Sequence, residues 1–409
     1  MTQTKTLATK PTGPLAGIRI LDLTSVVFGA YATQQLGDLG ADVIKVEFPG
    51  GRRGGGGDIM RWAGMTPEGA PPDLGPIFMT INRNKRSVLL DLRVPEDAAA
   101  LRALIPTCDV FVASVRYEGL ERLGLGYEAV RALKDDIIYV HGAGYGSDGP
   151  YAGEPAYDDL IQAASGMADL LNRTDGRPEP RYLPSLVADK VSGLFMGQAI
   201  LAALFHRQKT GEGQFVEVPM YECVTSFNLA EHFFGHVYDP PTGQWSYVRV
   251  TNPERKPFTT LDGHIGLLPY TGGQWQAFFE AAGMGELLTS DPRFADDRSR
   301  GRHARELYAL VETVTRTKTT AEWLAVLKPL QIPVIPLNRL DDLPADPHLT
   351  AVGMFEHYEH PDAGPYWGLR PPVHYSVTPA NVRRHAPRMG EHTAEVLAEV
   401  GHASRTAPE

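Results

Sequence analysis

Short apolar runs alternate with helical patterns through the first half of the chain, and this order constrains the fold more than any other feature. The apolar runs are rich in Val, Ile and Leu, as expected of buried strands; they lie at 17–24, 41–47, 86–92, 109–114, 137–142 and 214–220. Because strands that alternate with helices form a parallel sheet covered on both faces, the pattern predicts an α/β, doubly wound, Rossmann-like domain.

The alternation of strand and helix patterns ends after about residue 225. Aromatic, Pro-rich loops come first, and helical patterns follow at 304–317 and 320–328. A chain of 409 residues is too long for one core. We therefore predict a large domain over 1–225, a smaller α+β domain over 226–330, and a return to the large domain over 331–409, beginning with an apolar run at 332–337.

The charge and cysteine content of the chain indicate which ligands it can bind and which cellular compartment it suits. The formal net charge of -10 argues against nucleic acid as a ligand, since phosphate binding requires clustered Lys and Arg. The two cysteines, Cys108 and Cys223, have no metal or redox spacing and fit a reducing compartment. We find neither an apolar secretory signal in residues 1–14 nor a membrane-spanning run, and so expect a cytoplasmic protein.

Several motifs of known chemistry are missing from the sequence. The glycine-rich stretches 51–58 and 142–146 lack the P-loop ending and the dinucleotide spacing, so we interpret them as loops whose amides could line a ligand groove. No zinc-type spacing occurs, and no metal site is expected. The nucleophile elbow of α/β-hydrolases is also absent.

Asp189 lies where a coil gives way to a long helix predicted over 190–209. From this position alone it is either an N-cap residue or a carboxylate that the helix N-terminus holds ionised and oriented, as a nucleophile requires. Asp158 and Asp159 precede another helical pattern, and adjacent acids on a helix point in different directions. Both are also explained as helix N-terminal charges.

Segments spread over nearly the whole chain resemble class III CoA-transferases, also called the carnitine-dehydratase and bile-acid-inducible family. No single segment is decisive, but their order and combination are specific. The segments are PLAGIRILDLT (14–24), GDLGADVIKVEFPGG (37–51), NRNKRSVLLDL (82–92), LERLGLGYE (120–128), GYGSDGPYA (144–152), AYDDLIQAASG (156–166), LVADKVSG (186–193), RQKTGEGQFVEVPMYE (207–222) and GEHTAEVLAEVG (390–401).

The resemblance implies a site and a reaction. Asp189, four residues before a glycine, corresponds to the family's nucleophile, and Asp158 to an auxiliary acid. CoA contacts carry over to Val26, Val27, Arg116 and Arg122. The resemblance further implies an interlocked homodimer whose substrates are coenzyme A thioesters and a small carboxylic acid, with no prosthetic group.

Two other functions stay open at this point. Racemases of 2-methylacyl-CoA share the fold and use a histidine base where this chain has Tyr157, and a phenol is a poor general base at neutral pH. A CoA-binding protein without turnover is the other alternative, against which the retained Asp189 argues. Formyl-CoA:oxalate enzymes carry a Gly-rich lid where this chain has residues 250–263, so oxalate is not the expected substrate.

Three cations, Arg249, Arg255 and Lys256, begin the predicted small domain. The resemblance implies that this domain faces the active site. Because Arg clamps carboxylates with two hydrogen bonds, we hypothesise that Arg249 or Arg255 binds the second carboxylate of a dicarboxylic substrate. The alternative is that these charges are solvated or pair with acids such as Glu254.

Overall fold

The structure, a computed structural model, describes residues 4–50 and 55–404. The chain divides into two compact units. The first comprises the described parts of 1–167, 182–228 and 350–409, and the second comprises 168–181 and 229–349. The smaller unit thus starts near the predicted boundary at 226, but it also takes in 168–181 and extends to 349.

Eleven strands are formed by the described residues, and the apolar runs predicted as strands all lie among them. Their bounds are β1 Arg19–Leu23, β2 Asp42–Glu47, β3 Lys85–Leu89, β4 Val110–Ala113, β5 Ile138–Ala143, β6 Phe215–Pro219, β7 Phe258–Thr259, β8 His264–Leu267, β9 Val334–Pro336, β10 Phe355–His360 and β11 Gly364–Leu369.

The α-helices connect and flank these strands. Their bounds are α1 Phe28–Asp38, α2 Pro76–Ile81, α3 Pro95–Leu104, α4 Tyr117–Arg122, α5 Tyr127–Leu133, α6 Asp158–Ala164, α7 Leu170–Asp175, α8 Val187–Thr210, α9 Met220–His232, α10 Gly272–Ala281, α11 Leu287–Ser290, α12 Asp297–Arg302, α13 Ala304–Thr315, α14 Thr320–Leu327, α15 Pro347–Ala351 and α16 Thr393–Ala398. Short 3₁₀ turns lie between several of them.

Six parallel strands in the order β3-β2-β1-β4-β5-β6 make the main sheet. This is the strand order of dinucleotide-binding folds, and it confirms the predicted Rossmann-like α/β class. The order reverses between β1 and β4, so the loops that follow these two strands diverge to opposite faces. The crevice between such loops is where open α/β sheets bind ligands.

The second unit has its own sheet and core. Strands β7, β8 and β9 form an antiparallel sheet beside a cluster of buried aromatic and aliphatic side chains. The apolar run at 332–337 was predicted to begin the return to the large domain. Instead β9 pairs with β8 inside the small sheet, with Ile265 opposite Pro336, and the first unit resumes at Thr350. A short apolar strand pattern does not specify which sheet the strand joins.

Helix α8 packs against α1 and supports the sheet. It begins three residues before the predicted start at 190, and it ends as predicted at a glycine, Gly211, with φ of 79°. At Gly193 an added Cβ would lie 2.8 Å from the carbonyl oxygen of Phe28, so glycine permits the close contact with α1. Length and composition alone would let α8 cross a membrane, yet half of its most apolar window is buried, as in a core helix.

We expect Gly193→Ala to lower the free energy of unfolding by about 1–3 kcal/mol, because the new methyl group meets backbone that cannot move away easily. Gly197→Ala in the same helix is the matched control. Its Cβ has no neighbour within 4 Å, so the substitution should raise stability by about 0.5–1 kcal/mol through helix propensity. Chemical denaturation measures both. Equal effects at the two positions would contradict the close α1–α8 contact.

Candidate active site

A cavity of about 680 Å³ lies at the carboxyl ends of four neighbouring strands of the main sheet. Val26 follows β1, Arg116 follows β4, Gly144 follows β5 and Met220 follows β6, and all four line the cavity. The cavity thus includes the switch point between β1 and β4. Asp189, from the first turn of α8, also lines it, so the fold brings the predicted nucleophile to the predicted ligand crevice.

Asp189 is 6% exposed and is the third residue of α8. The N-cap residue is Leu186, which makes no side-chain capping bond, so the N-cap alternative for Asp189 is wrong. We expected the helix N-terminus to keep Asp189 ionised. Instead burial, followed by the negative charges of Asp158 and Asp159, raises the pKa of Asp189 to about 7. Desolvation and nearby negative charge therefore both favour the neutral form of Asp189.

Asp158 provides the cap that Leu186 does not. Its Oδ1 accepts a hydrogen bond from the backbone N–H of Asp189 at 3.0 Å, and its Oδ2 accepts one from Nε2 of Gln162 at 2.6 Å. The side chain is buried, and it is absent from the described residues that line the cavity. Asp158 thus fixes the first turn of α8 from the neighbouring helix α6.

The predicted CoA contacts occupy different environments. Val26 lines the cavity with a φ of 67°, in the left-handed region that branched side chains rarely adopt. Val27 is the N-cap residue of α1, and its side chain packs in a small apolar cluster with Ala30 and Ile81. Only Val26 of this pair belongs to the cavity wall.

Arg116 and Arg122 lie at the two ends of α4. Arg116 is the N-cap residue, is exposed, and lines the cavity. Arg122 is in the last turn, is also exposed, and is not among the lining residues. The structure therefore brings Asp189, Val26 and Arg116 to one cavity and leaves Val27, Arg122 and Asp158 outside its wall.

His141, on β5, is a cavity residue that the sequence analysis missed. Its ring lies with Nε2 3.0 Å from the carbonyl oxygen of Val115, which requires an N–H donor there, while the buried Nδ1 has no partner. Burial lowers the pKa of His141. A histidine inside an otherwise apolar strand run was the available signal.

Two buried lysines beside the β1–α1 turn were not predicted from the sequence either. Lys45 on β2 and Lys85 on β3 are fully buried. Lys45 pairs with Asp58 at 2.9 Å and Lys85 with Asp22 at 3.2 Å. A lysine within a buried strand indicates a buried ion pair, because a lone buried charge is too costly.

The two glycine-rich stretches, 51–58 and 142–146, differ in how much of each the structure describes. Residues 142–145 line the cavity, in agreement with the proposed ligand groove. Residues 51–54 of the other stretch lie outside the described residues. Across 4–50 and 55–404, no group of three His, Cys, Asp or Glu side chains is arranged to hold a metal ion.

The three cations of the second unit have distinct neighbours. Arg249 is half-buried; its Nε donates to the hydroxyl of Tyr308 at 3.2 Å, and its guanidinium lies 4.8 Å from the ring centroid of Tyr270. Arg255 is exposed. Lys256 is exposed and lies 3.7 Å from a carboxylate oxygen of Glu254.

Comparison with known proteins covers nearly the whole chain. The sequence profile described as CoA-transferase family III matches residues 15–393. A succinate–glutarate CoA-transferase of Agrobacterium fabrum is 34% identical over 96% of this chain and 97% of its own length. A succinyl-CoA:glutarate CoA-transferase of Homo sapiens is 30% identical over 95% of this chain and 86% of its own length.

The fold has the same counterpart among solved structures. The crystal structure of a CaiB/BaiF family protein from Brucella suis has a TM-score of 0.78 and 30% identity, covering 95% of this chain and 99% of that one. Sequence profile, full-length relatives and fold agree, and the chain belongs to CoA-transferase family III.

Proposed function

We propose that this CoA-transferase moves CoA from an acyl-CoA to a carboxylic acid through covalent intermediates on Asp189. The observation that carries the proposal is the position of Asp189, a buried carboxylate in the wall of a cavity formed at the carboxyl ends of the sheet strands. Ligands of this fold class bind in that crevice. The cavity volume of about 680 Å³ lies within the range of small-molecule sites.

The proposed reaction conserves the energy of the thioester. A carboxylate oxygen of Asp189 attacks the donor carbonyl carbon, the C–S bond breaks, and a mixed anhydride and CoA thiolate form. The thiolate attacks the aspartyl carbonyl, which releases the donor acid and leaves an aspartyl-CoA thioester. The acceptor carboxylate attacks this thioester and displaces the thiolate, which then attacks the acceptor carbonyl and restores Asp189. No proton is gained or lost overall.

The environment of Asp189 suits a nucleophilic carboxylate. Only the ionised form attacks, and at a pKa of about 7 a substantial fraction is ionised near neutral pH. Its burial removes water that would otherwise solvate the carboxylate and hydrolyse an anhydride. Asp158, which we first assigned as an auxiliary acid, becomes a positioning residue in this proposal, because its carboxylate is committed to the N–H of Asp189 and to Gln162.

Arg116 indicates where the phosphates of CoA would lie. Among the described residues of the cavity wall it is the one Lys or Arg, whereas Glu118, Glu154 and Glu217 are acidic. We propose that the uncharged pantetheine arm enters the cavity beside Val26, and that the phosphates stay near Arg116, with Arg122 further along the same helix. The contact with Val27 stays a prediction.

The site favours transfer over racemisation. Tyr157, in the position of the racemase base, lines the cavity and is 64% exposed. The other candidate base, His141, donates from Nε2 to a backbone carbonyl, and its Nδ1 is shielded from solvent. A phenol is a poor general base at neutral pH, and neither ring nitrogen of His141 is free to accept a proton from a ligand, so we expect no deuterium exchange at the α-carbon of a 2-methylacyl-CoA in heavy water.

We further propose that at least one substrate is a dicarboxylate bound by Arg249 or Arg255. The names of the two relatives specify succinate, succinyl-CoA and glutarate, which are dicarboxylates or their thioesters. The cations of the second unit supply the charge. Arg249 is the better ordered of the two, since Tyr308 and Tyr270 hold its guanidinium.

An interlocked homodimer and a cytoplasmic location are also proposals. The face of α8 that is left uncovered in the single chain carries Leu194, Leu201 and Phe205, which are 53%, 40% and 58% exposed. Apolar side chains grouped on one helix face are typical of a protein interface. The second copy of the chain is the partner that the family resemblance implies.

Incubation with an acyl-CoA and hydroxylamine should convert Asp189 to a hydroxamate, detectable by peptide mass spectrometry, because both covalent intermediates are activated acyl groups. Asp189→Ala should abolish adduct and turnover while keeping the circular dichroism spectrum. Asp159→Asn, which removes a nearby exposed carboxylate, should still form the adduct. An Asp189→Ala enzyme with about a tenth or more of wild-type turnover would refute the assignment.

The pH profile of kcat/KM should rise from acid with an apparent pKa of about 7, since this parameter reports the free enzyme. Removing the negative neighbours should ease ionisation of Asp189, so Asp158→Asn and Asp159→Asn should each move the limb to lower pH. Glu118→Gln removes a carboxylate of the cavity wall that does not raise the pKa of Asp189 and serves as the control. A limb near 4 in the wild type would be inconsistent with this account.

Arg249→Gln or Arg255→Gln should raise the KM for a dicarboxylic acceptor by about ten- to a hundredfold, the effect of losing a charge-assisted pair, and leave a monocarboxylic acceptor nearly unchanged. Steady-state kinetics with the two acceptor classes measures the difference. Lys256→Gln is the matched control, because Lys256 already faces Glu254. Equal effects on both classes, or none, would count against a dicarboxylate.

A further inference from the structure

The turn between β1 and α1 is held in a conformation that its sequence disfavours. Val26 has a φ of 67°, which costs little for glycine but is rarely adopted by a residue with a branched Cβ. Such a conformation persists only where surrounding groups enforce it. Because Val26 lines the cavity, whatever enforces this φ also shapes the cavity wall.

Asp58 makes the contacts that enforce the turn. Its Oδ1 accepts hydrogen bonds from the N–H of Val26 at 3.1 Å, from the hydroxyl of Ser25 at 3.3 Å and from the N–H of Met60 at 3.0 Å. Its Oδ2 lies 2.9 Å from Nζ of Lys45, and both side chains are at most 1% exposed. One buried ion pair is thus attached directly to the strained residue.

Thr24, two residues before the strained position, is held by buried charges as well. Lys45 donates to the carbonyl oxygen of Thr24 at 2.9 Å, and Asp22 accepts from the N–H of Thr24 at 2.8 Å. Lys85, paired with Asp22, donates to the carbonyl oxygen of Ala30 at 2.9 Å. Two lysines and two aspartates therefore balance in charge while fixing the backbone on both sides of Val26.

We infer that Asp58, held by Lys45, is a positioning residue for CoA binding: it keeps Val26 in the left-handed conformation that gives this edge of the cavity its shape. This inference rests on the proposed binding of CoA in the cavity. Asp58 itself is not among the described lining residues, so it acts through the turn.

The role requires a carboxylate. An asparagine at position 58 has one acceptor oxygen and one amide donor. If its oxygen faces Val26 and Ser25, its NH₂ group faces the ammonium of Lys45, and in the flipped orientation the NH₂ group faces the N–H of Val26. Each orientation places a donor against a donor: one loses the hydrogen bond to Val26, and the other replaces the anchoring ion pair with Lys45 by a repulsive contact.

The test measures KM for acyl-CoA, kcat, the dissociation constant of CoA by calorimetry, and the unfolding midpoint. Asp58→Asn should raise KM and the CoA dissociation constant about tenfold, equivalent to about 1.4 kcal/mol, and change kcat by less than about threefold. Asp38→Asn is the control for loss of a buried, ion-paired aspartate. Asp38 accepts from Arg83 at 2.7 Å and from Asn84 at 2.7 Å, away from the turn. The Asp38→Asn substitution should lower the unfolding midpoint and leave the KM for acyl-CoA unchanged.

Rescue distinguishes positioning from general destabilisation. In a Val26→Gly background the left-handed conformation no longer needs enforcement, so adding Asp58→Asn should change KM by less than about twofold. Should Asp58→Asn alone not fold, Lys45→Gln combined with Asp58→Ala removes both charges and the acceptor for Val26 while keeping a donor for Thr24, and it should show the same rise in KM and the same rescue.

Each outcome is decisive for one of the two proposals. A tenfold effect of Asp58→Asn that Val26→Gly removes supports the inference. An equal KM effect from Asp38→Asn, or an undiminished effect in the Val26→Gly background, overturns it. Wild-type enzyme that turns over acyl-CoA and binds CoA, but whose affinity is indifferent to Asp58→Asn, also overturns it and leaves the proposed function standing. A wild type without CoA affinity would instead remove the proposed function.

Discussion

Two buried lysine–aspartate pairs, Lys45 with Asp58 and Lys85 with Asp22, hold together the first three strands and the turn that begins α1. An isolated charge at such a depth would be prohibitively costly, so each charge requires its partner: Lys85–Asp22 joins β3 to β1, and Lys45–Asp58 joins β2 to the segment that follows it. Once formed, they fix the backbone around Val26, where the ligand crevice of this sheet begins. The site geometry thus depends on the assembly of the sheet rather than on the turn sequence.

The same region is fastened to distant parts of the chain. Glu47, at the end of β2, binds Arg61 through both carboxylate oxygens, at 2.7 and 2.6 Å, and accepts the N–H of Asp58 at 2.9 Å. Arg61 in turn donates to the carbonyl oxygen of Pro387 at 2.9 Å. Burial opposes ionisation of Glu47, yet the hydrogen bonds and charge of Arg61 lower its pKa to about 2. The returning C-terminal segment therefore stabilises the segment that carries Asp58.

Close packing of α8 against α1 brings Asp189 to the cavity wall. The absence of a side chain at Gly193 lets α8 approach the first turn of α1, and the first turn of α8 carries Asp189. Asp158 binds the N–H of Asp189 and so orients the proposed nucleophile, and its negative charge adds to the burial that raises the pKa of Asp189. A buried carboxylate that titrates near neutral pH is typical of a functional site.

The sequence alone determined the parallel α/β sheet, the long helix with its glycine end, and the family of the chain, in which Asp189 takes the position of the nucleophile. These follow from local periodicity, turn chemistry and motif order, which can be identified directly in the sequence. Tertiary structure decided that β9 joins the small sheet, that Asp158 rather than Asp189 caps α8, and that burial raises the pKa of Asp189. It also decided that Lys45 meets Asp58 beneath Val26. Each of these depends on residues that are distant in sequence but buried next to one another. Strand pairing and the loss of solvent around a charge follow from proximity in three dimensions, which the local sequence does not specify.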